Sequence, residues 1–238
     1  MNKGALVRHR AMEALLAVQQ HEAGSQQAVR AALMGKPPLE GRDAGLLTEF
    51  VYGVLRRQRA LDRWIGGCCD RGLGSLEERA LLALRVGCYQ LAELTRVPDY
   101  AALDATTTAA GIFAGERKKG FVHGVLRNLA RSQPWQTQPT ADMPRWITRR
   151  IEMLAETAEV DADSLRLAFG GEAPLHIHTL DQAAVDSLFA DGVELAPVGG
   201  VPSLWTTTGG AFFASKAFLG RRALPQDAGS AAIVHWLG

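Results

Sequence analysis

The sequence predicts a mainly α protein: an all-helical bundle over residues 1–133, linker helices over 134–170 and a small α+β domain over 171–238. Three observations predict it. Apolar residues of the first 133 recur at three- and four-residue steps without sustained β-branched alternation, the period of helices buried along one side. After Gly170-Gly171 the period shortens to two, with Leu175, Ile177 and Thr179 alternating against His176 and His178. Charge divides as well: residues 1–150 carry 22 Lys+Arg against 14 Asp+Glu, whereas residues 151–238 carry 4 against 11. The 238 residues suffice for two ordinary domains.

Within the bundle, Val7, Ala11, Leu15 and Val18 form one apolar face. Leu47, Phe50, Val54, Leu61 and Ile65 form a second, on a helix that Asp43 is placed to cap. Leu81, Leu84, Cys88 and Leu91 form a third, on a helix opened by Ser75 and Glu78 in capping-box spacing and ended by Pro98. A further helix holds Leu103, Ala110 and Phe113, and the last runs from about Glu116 to Arg131. Gly53, Gly87 and Gly124 fall inside helices, each at a cost of about 1 kcal/mol relative to Ala, so close approach of helix backbones is expected at all three. Tyr52-Gly-Val-Leu-Arg56 and His123-Gly-Val-Leu-Arg127 echo one another, with Trp64 and Trp135 at matching distances.

Residues 132–144 turn to Gln, Thr, Pro and Ala, a linker signature, before Trp146, Ile147, Ile151, Leu154 and Ala158 resume helical spacing. Asp161, Asp163 and Glu159 gather as an acidic helix start. A helix from Asp181 to Ala190 ends at Gly192, and residues 193–196, 203–207 and 211–214 have the composition of short strands. An apolar helix-like stretch then runs to Gly238 without a polar tail, as in a truncated chain.

With 47% hydrophobic and 21% charged residues the composition excludes a disordered tail, and three cysteines exclude a disulfide scaffold. No apolar run reaches a membrane span, and MNKGALVRHR is not followed by the apolar stretch of a secretion signal. A reduced, cytoplasmic setting is expected.

The strongest chemical signal is the helix around 119–131. At about 100° per residue, Lys119, His123, Arg127 and Arg131 fall within about 120°, opposite Phe121, Val122, Val125, Leu126 and Leu129. Tyr52, Arg56, Arg59 and Arg63 repeat the pattern at i, i+4, i+7 and i+11, uninterrupted by an acid. Arg8, His9 and Arg10 lie near the expected start of the first helix, where the macrodipole disfavours cations unless an anion is present. A solvated face would have the same composition, but three basic stripes on one half of the chain suit a polyanion.

Catalytic constellations are missing. There is no GxGxxG, no Walker loop and no glycine-rich strand-to-helix turn for an adenosine cofactor. Cys68-Cys69 is vicinal and Cys88 lies on an apolar face, so buried inert thiols are expected. His176 and His178 share one strand face, but two imidazoles without a third ligand do not define a metal site. No catalytic, cofactor or metal residue is assigned.

Four blocks in order carry a family resemblance: Phe50-Val-Tyr-Gly-Val-Leu-Arg56 followed by Leu61-Asp62; Leu84-Arg-Val-Gly-Cys-Tyr-Gln-Leu91; Val97-Pro98 with Ala101-Ala102; and Lys119-Gly-Phe-Val-His-Gly-Val-Leu-Arg127. They resemble the NusB-like helical RNA-binding domain of RsmB-type ribosomal RNA cytosine-C5 methyltransferases. The likeness continues through Trp146, Pro174-Leu-His-Ile-His178 and Gln226-Asp-Ala-Gly-Ser230, which is similar to the family's Gln-Asp-x-x-Ser block. His123 stands where the family usually has Asn, and His176 and His178 replace Arg and Asn.

The resemblance implies an RNA-binding, substrate-positioning portion of a 16S rRNA methyltransferase. Its implied partners are ribosomal RNA and either a missing catalytic domain or a ribosomal assembly intermediate. S-adenosylmethionine is expected only in a full-length relative, since the family's cofactor loop and two catalytic cysteines lie downstream of the Gln-Asp-x-x-Ser block. This chain alone is therefore expected to be inactive. The implied RNA contacts are Arg8, Arg10, Arg56, Arg59, Lys119, His123, Arg127 and Arg131. The alternative is a stand-alone NusB-type factor in transcription antitermination.

Overall fold

The computed structural model of the chain describes residues 3–94, 98–137, 143–170, 173–207 and 210–237. Val97 of the Val97-Pro98 pair, Gly171 of the glycine pair, residues 138–142 of the expected linker and the terminal Gly238 lie outside the described residues. Contacts divide the chain into two units, Met1–Gly170 and Gly171–Gly238.

The first unit is helical, as the 3.6-residue period predicts. It contains α1 (Lys3–Gln19), α2 (Ser25–Met34), α3 (Gly41–Gly66), α4 (Glu78–Glu93), α5 (Asp99–Phe113), α6 (Glu116–Ser132), α7 (Arg145–Ala158) and α8 (Ala162–Gly170). The α4 helix lies innermost: every residue from Leu82 to Gln90 is buried. It packs against α1, α3, α5 and α6. One core joins them, with Leu15, Phe50, Leu61, Leu84, Phe113 and Leu126 among its buried members.

Two helical glycines set the spacing. A Cβ on Gly53 of α3 would fall on the ring of Tyr89 in α4, and one on Gly87 of α4 would lie 2.6 Å from both methyls of Leu126 in α6. Close approach is therefore the reason for these two. The third expectation fails, because nothing lies within 4 Å of a Cβ at Gly124, which sits on the outer side of α6. The pentapeptide echo is therefore no structural duplication, although the rings of Trp64 and Trp135 do meet edge to face at 6.0 Å.

Several helix ends differ from those read in the sequence. The α3 helix begins at Gly41, so Asp43 lies in its first turn, where a carboxylate faces the positive end of the helix, and does not cap it. Ser75 bonds Gly72 in a 3-10 turn instead of capping α4, and Glu78 accepts hydrogen bonds from Gln19 and Gln20 of α1. Pro98 is the residue preceding α5, while α4 stops at Glu93.

The second unit is a four-stranded antiparallel sheet, with β1 (Leu175–Thr179), β2 (Ala196–Pro197), β3 (Leu204–Thr207) and β4 (Ala223–Pro225) in the order β2-β3-β1-β4. Period-two burial of β1 puts Ile177 and Thr179 inside, with Ile177 opposite Trp205 on one side and Pro225 on the other. The core adds Ala184 and Leu188 of α9 (Gln182–Ala190), Val193, Phe212, Ala217 of α10 (Lys216–Leu219), and Ala223. The last helix, α11, spans Ala228–Leu237.

Residues 211–214, read as a strand, form part of a 3-10 turn over Gly210–Ala214. The rings of Phe212 and Phe213 both pack on Phe218, tilted and edge to face, with centres 5.0 and 5.3 Å away. An extended chain would send two consecutive rings to opposite faces. Strand β4 escaped the sequence reading because it is only three residues long and ends in Pro225, a residue confined to sheet edges, where β4 lies.

Three aspartates start helices: Asp161 accepts from the Ser164 amide at 2.7 Å, Asp181 from Ala184 at 2.9 Å and Asp227 from Ser230 at 2.9 Å. The Ser164 and Ser230 amide bonds hold the Asp161 and Asp227 carboxyls below the usual carboxylate range. For Asp181 the Arg222 guanidinium does so first and the amide second.

Two outcomes follow from this packing. Gly53→Ala lowers stability by about 1–3 kcal/mol by overpacking, whereas Gly124→Ala raises it by up to about 1 kcal/mol through helix propensity; urea melts of the two variants move in opposite directions. The ionised Asp caps contribute stability that is fully present above their ordinary pKa and is lost as pH falls through their depressed folded values. The melting-temperature gap between the wild type and Asp181→Ala, open at about pH 6, therefore closes toward about pH 2.

Candidate functional site

The α5–α6 hairpin turns at Gly115, whose φ of +97° is open to glycine and strained for other residues. Beyond it the two helices pack along their length, and their outer surfaces leave a groove of about 760 Å³. From α5 come Tyr100, Asp104, Thr107 and Thr108; from α6 come Lys119, Gly120, His123 and Arg127. Val122, Val125, Leu126 and Leu129 are buried on the other side of α6, which fixes its rotation. The predicted two-sided helix therefore forms, except that Phe121, read as buried, is 41% exposed.

Within the groove, Lys119 Nζ lies 3.1 Å from Glu116 Oε1. His123 Nδ1 is 3.4 Å from Thr107 Oγ1, which itself donates to the Leu103 carbonyl at 2.6 Å. Arg127 is exposed and has no hydrogen bond or ion pair among the described residues. Arg131, one turn further, donates to Asn128 Oδ1 at 2.6 Å. Tyr100, 77% exposed at the α5 end of the groove, was missed in the sequence because an isolated aromatic after Pro98 carries no periodic signal.

The second stripe lies on α3. Arg56 and Arg59 are exposed and unpaired among the described residues, Arg63 is exposed, and Tyr52 is half-buried. Arg57, off the stripe, pairs with Glu93 at 3.5 Å.

The third stripe is corrected. Helix α1 starts at Lys3, so residues 8–10 lie beyond its first turn and the macrodipole argument does not apply to them. Arg8 is buried, donating to the Gly4 carbonyl at 2.8 Å and to Gln90 Oε1, with its guanidinium 5.4 Å from the centre of the Phe50 ring. Desolvation lowers its pKa to about 10, and it still remains cationic near neutrality. Arg10 is 9% exposed, donates to the Ala32 carbonyl at 3.3 Å and packs on Gly35. Both hold the bundle together; Arg8 is covered, and Arg10, although it lines a pocket beside Glu13, Ala17 and Ala28, keeps most of its surface against α2 and Gly35.

Of the other candidates, burial pushes the Cys88 thiol well up and, more mildly, that of Cys69, which suits inert thiols; Cys68 and Cys69 are half-buried where full burial was expected. His176 and His178 lie on the face of β1 opposite Ile177, and no cluster of three metal-binding side chains occurs among the described residues. No helix among them is long and apolar enough to cross a membrane.

Residues 6–131 match the NusB family. The chain belongs to the NusB family. Its relatives share more than that region. The ribosomal RNA small subunit methyltransferase B of Xylella fastidiosa is 34% identical over 182 residues, covering 70% of this chain and 39% of its own length. A Mycobacterium tuberculosis protein whose name places it provisionally among the methyltransferases is 35% identical over 179 residues, covering 68% of this chain and 36% of its own. The NusB family chain thus spans less than half the length of these curated relatives. Among solved structures, PH0851 matches 97% of this chain and 54% of its own at 19% identity and a TM-score of 0.57. A chain in the crystal structure of a plectonemic RNA supercoil matches 56% of this chain and 97% of its own at 17% identity and a TM-score of 0.51. These two likenesses concern the fold.

The NusB family chain thus carries arginines of two kinds, which a melt separates. Arg8→Ala strips Gln90 of its buried donor and lowers stability by about 1–3 kcal/mol, while Arg127→Ala shifts it by no more than about 0.5 kcal/mol; chemical denaturation of both variants checks this.

Proposed function

We propose that this chain is the RNA-binding, substrate-positioning portion of a 16S ribosomal RNA (cytosine-C5) methyltransferase. The observation that carries the reading is α6: Lys119, His123, Arg127 and Arg131 lie along one outer strip while the reverse side is sealed in the core. Arg127 faces the groove with no carboxylate partner among the described residues, so a phosphate would give it a charge-assisted bond without breaking an existing one. Phosphate contacts of this kind fix position with little regard to sequence. Across the groove, Tyr100 offers a ring on which an unstacked base can lie and Thr108 is within the same lining. Arg56 and Arg59 on α3 supply further unneutralised charge.

Ribosomal RNA enters through the names of the relatives, whose likeness extends over 70% of this chain, beyond residues 6–131. That extension favours a methyltransferase portion over a stand-alone antitermination factor. Neither a methyl-donor site nor a catalytic residue is assigned to these 238 residues; in this reading they hold and orient the RNA on which the chemistry takes place.

The triple variant Arg56→Ala/Lys119→Ala/Arg127→Ala, titrated with a small-subunit ribosomal RNA helix at several salt concentrations, binds more weakly than the wild type. Its log–log salt slope falls by about 0.7–0.9 for each phosphate contact removed. Unchanged affinity and slope would remove the assignment.

A further inference from the structure

The most exposed aromatic of the first unit after Tyr100 is Trp146, at 70%, on a helix the groove does not use. Around it on α7 stand Arg145, Arg149 and Arg150, all exposed, and Met153, and the five line a concavity of about 760 Å³. At about 100° per residue they span an arc of about 140°, with Trp146 and Met153 in its middle and the arginines flanking them. Ile151 and Ala155 are buried on the opposite side, so the rotation of α7 is fixed and the arc faces outward. None of the three arginines has a hydrogen bond or ion pair among the described residues. Of the acids on neighbouring turns, Glu152 and Asp163 both take Arg166 of α8, each at 2.5 Å, while Glu156, exposed on α7 two turns beyond Arg149, forms no ion pair with these arginines among the described residues.

We infer that α7 is a second nucleic-acid contact, specific for unpaired nucleotides, in which Trp146 stacks on a base while Arg145, Arg149 and Arg150 hold the flanking phosphates. Three guanidinium groups with no ion pair among the described residues are free to take an anionic partner, and an aromatic face set among them favours a partner that offers a flat, exposed ring. A single-stranded polynucleotide has both at every residue, whereas a duplex keeps its bases stacked on each other. A membrane surface fits less well. An interfacial helix segregates an apolar face for the acyl boundary from a charged one, but the buried side of α7 is already covered by protein and its exposed side mixes both kinds of residue. The inference rests on the RNA-binding reading for the class of ligand and is independent of the α5–α6 groove.

The test uses the full chain with two labelled probes, a short oligouridylate and an RNA duplex of equal length. Trp146→Ala weakens the oligouridylate about 5- to 150-fold, the range of stacking one base, and leaves the duplex within about twofold; Trp146→Phe, which keeps a stacking ring, retains most of the affinity. Arg145→Ala/Arg149→Ala/Arg150→Ala lowers the oligouridylate salt slope by about 0.7 per contact. Because Trp146 projects into solvent, its truncation leaves the melting temperature unchanged, which separates lost binding from lost fold. Unchanged oligouridylate affinity in Trp146→Ala overturns the inference. So does loss of both probes alike, or Trp146-dependent binding to anionic phospholipid vesicles or an acidic peptide with none to oligouridylate. In Lys119→Ala/Arg127→Ala, intact duplex binding beside a Trp146-dependent oligouridylate would sink the groove and spare α7. Weakened duplex binding beside an indifferent Trp146→Ala would do the reverse.

Discussion

The first unit depends on how closely two helices approach α4. Gly53 admits the Tyr89 ring into α3, and Gly87 admits the Leu126 side chain of α6. With those recesses filled, α4 is enclosed from Leu82 to Gln90 and its polar groups must be satisfied within the protein. They are: Arg85 forks onto Asp62 of α3 at 2.7 and 2.9 Å and reaches Gln19 of α1 at 3.1 Å, the Tyr89 hydroxyl donates to Glu49, and Gln90 links Arg8 of α1 to Thr106 of α5. Hydrogen bonds to the buried helix thus fix the register of its neighbours, where apolar packing alone would tolerate sliding. The outward strip of α6 is a consequence of this, since Leu126 seated on Gly87 sets the rotation that leaves Lys119, His123 and Arg127 outside.

Much of this was legible in the sequence. The helix faces around Leu47, Leu84 and Leu126, the strand at Leu175–Thr179 and the two-sided α6 all rest on periodicity, which reports burial directly. What the sequence hid depends on partners distant along the chain. A run such as Arg8-His-Arg10 has one composition whether it faces solvent or lies inside; here it is a residue 82 positions away, Gln90, that draws Arg8 inward. Ser75 and Glu78 have capping spacing, but Glu78 is taken by glutamines of α1 and the box does not form. Gly124 has the same local sequence as Gly53 and faces the opposite environment, because nothing packs on that side of α6. The groove was half legible: its α6 wall follows from helical spacing, whereas Tyr100 and Thr108 join it only through the turn at Gly115.

The same distinction explains why the division of formal charge, though real, misstates the electrostatic surface. In residues 151–238, Asp161, Asp181 and Asp227 are bound to helix amides, Glu152 and Asp163 both pair with Arg166, and Asp191 accepts from the Lys216 amide at 2.7 Å. Much of that negative charge completes local structure and is balanced within a few ångströms. In residues 1–150, Arg8, Arg10, Arg57, Arg79 and Arg85 are likewise tied to carbonyls, carboxylates or aromatic faces. Removing the structural charges from both sides leaves a set of uncommitted cations, among them Arg56 and Arg59 on one side of α3, Arg127 in the groove and the three arginines of α7, none of which has a hydrogen bond or ion pair among the described residues. Polyanion binding is governed by such uncommitted charges, because a cation already in a buried pair must break that pair before it can release a counterion. The proposed nucleic-acid binding therefore depends on these side chains and their aromatic neighbours, Tyr100 and Trp146, and would be unchanged if the net charge of the whole chain were zero.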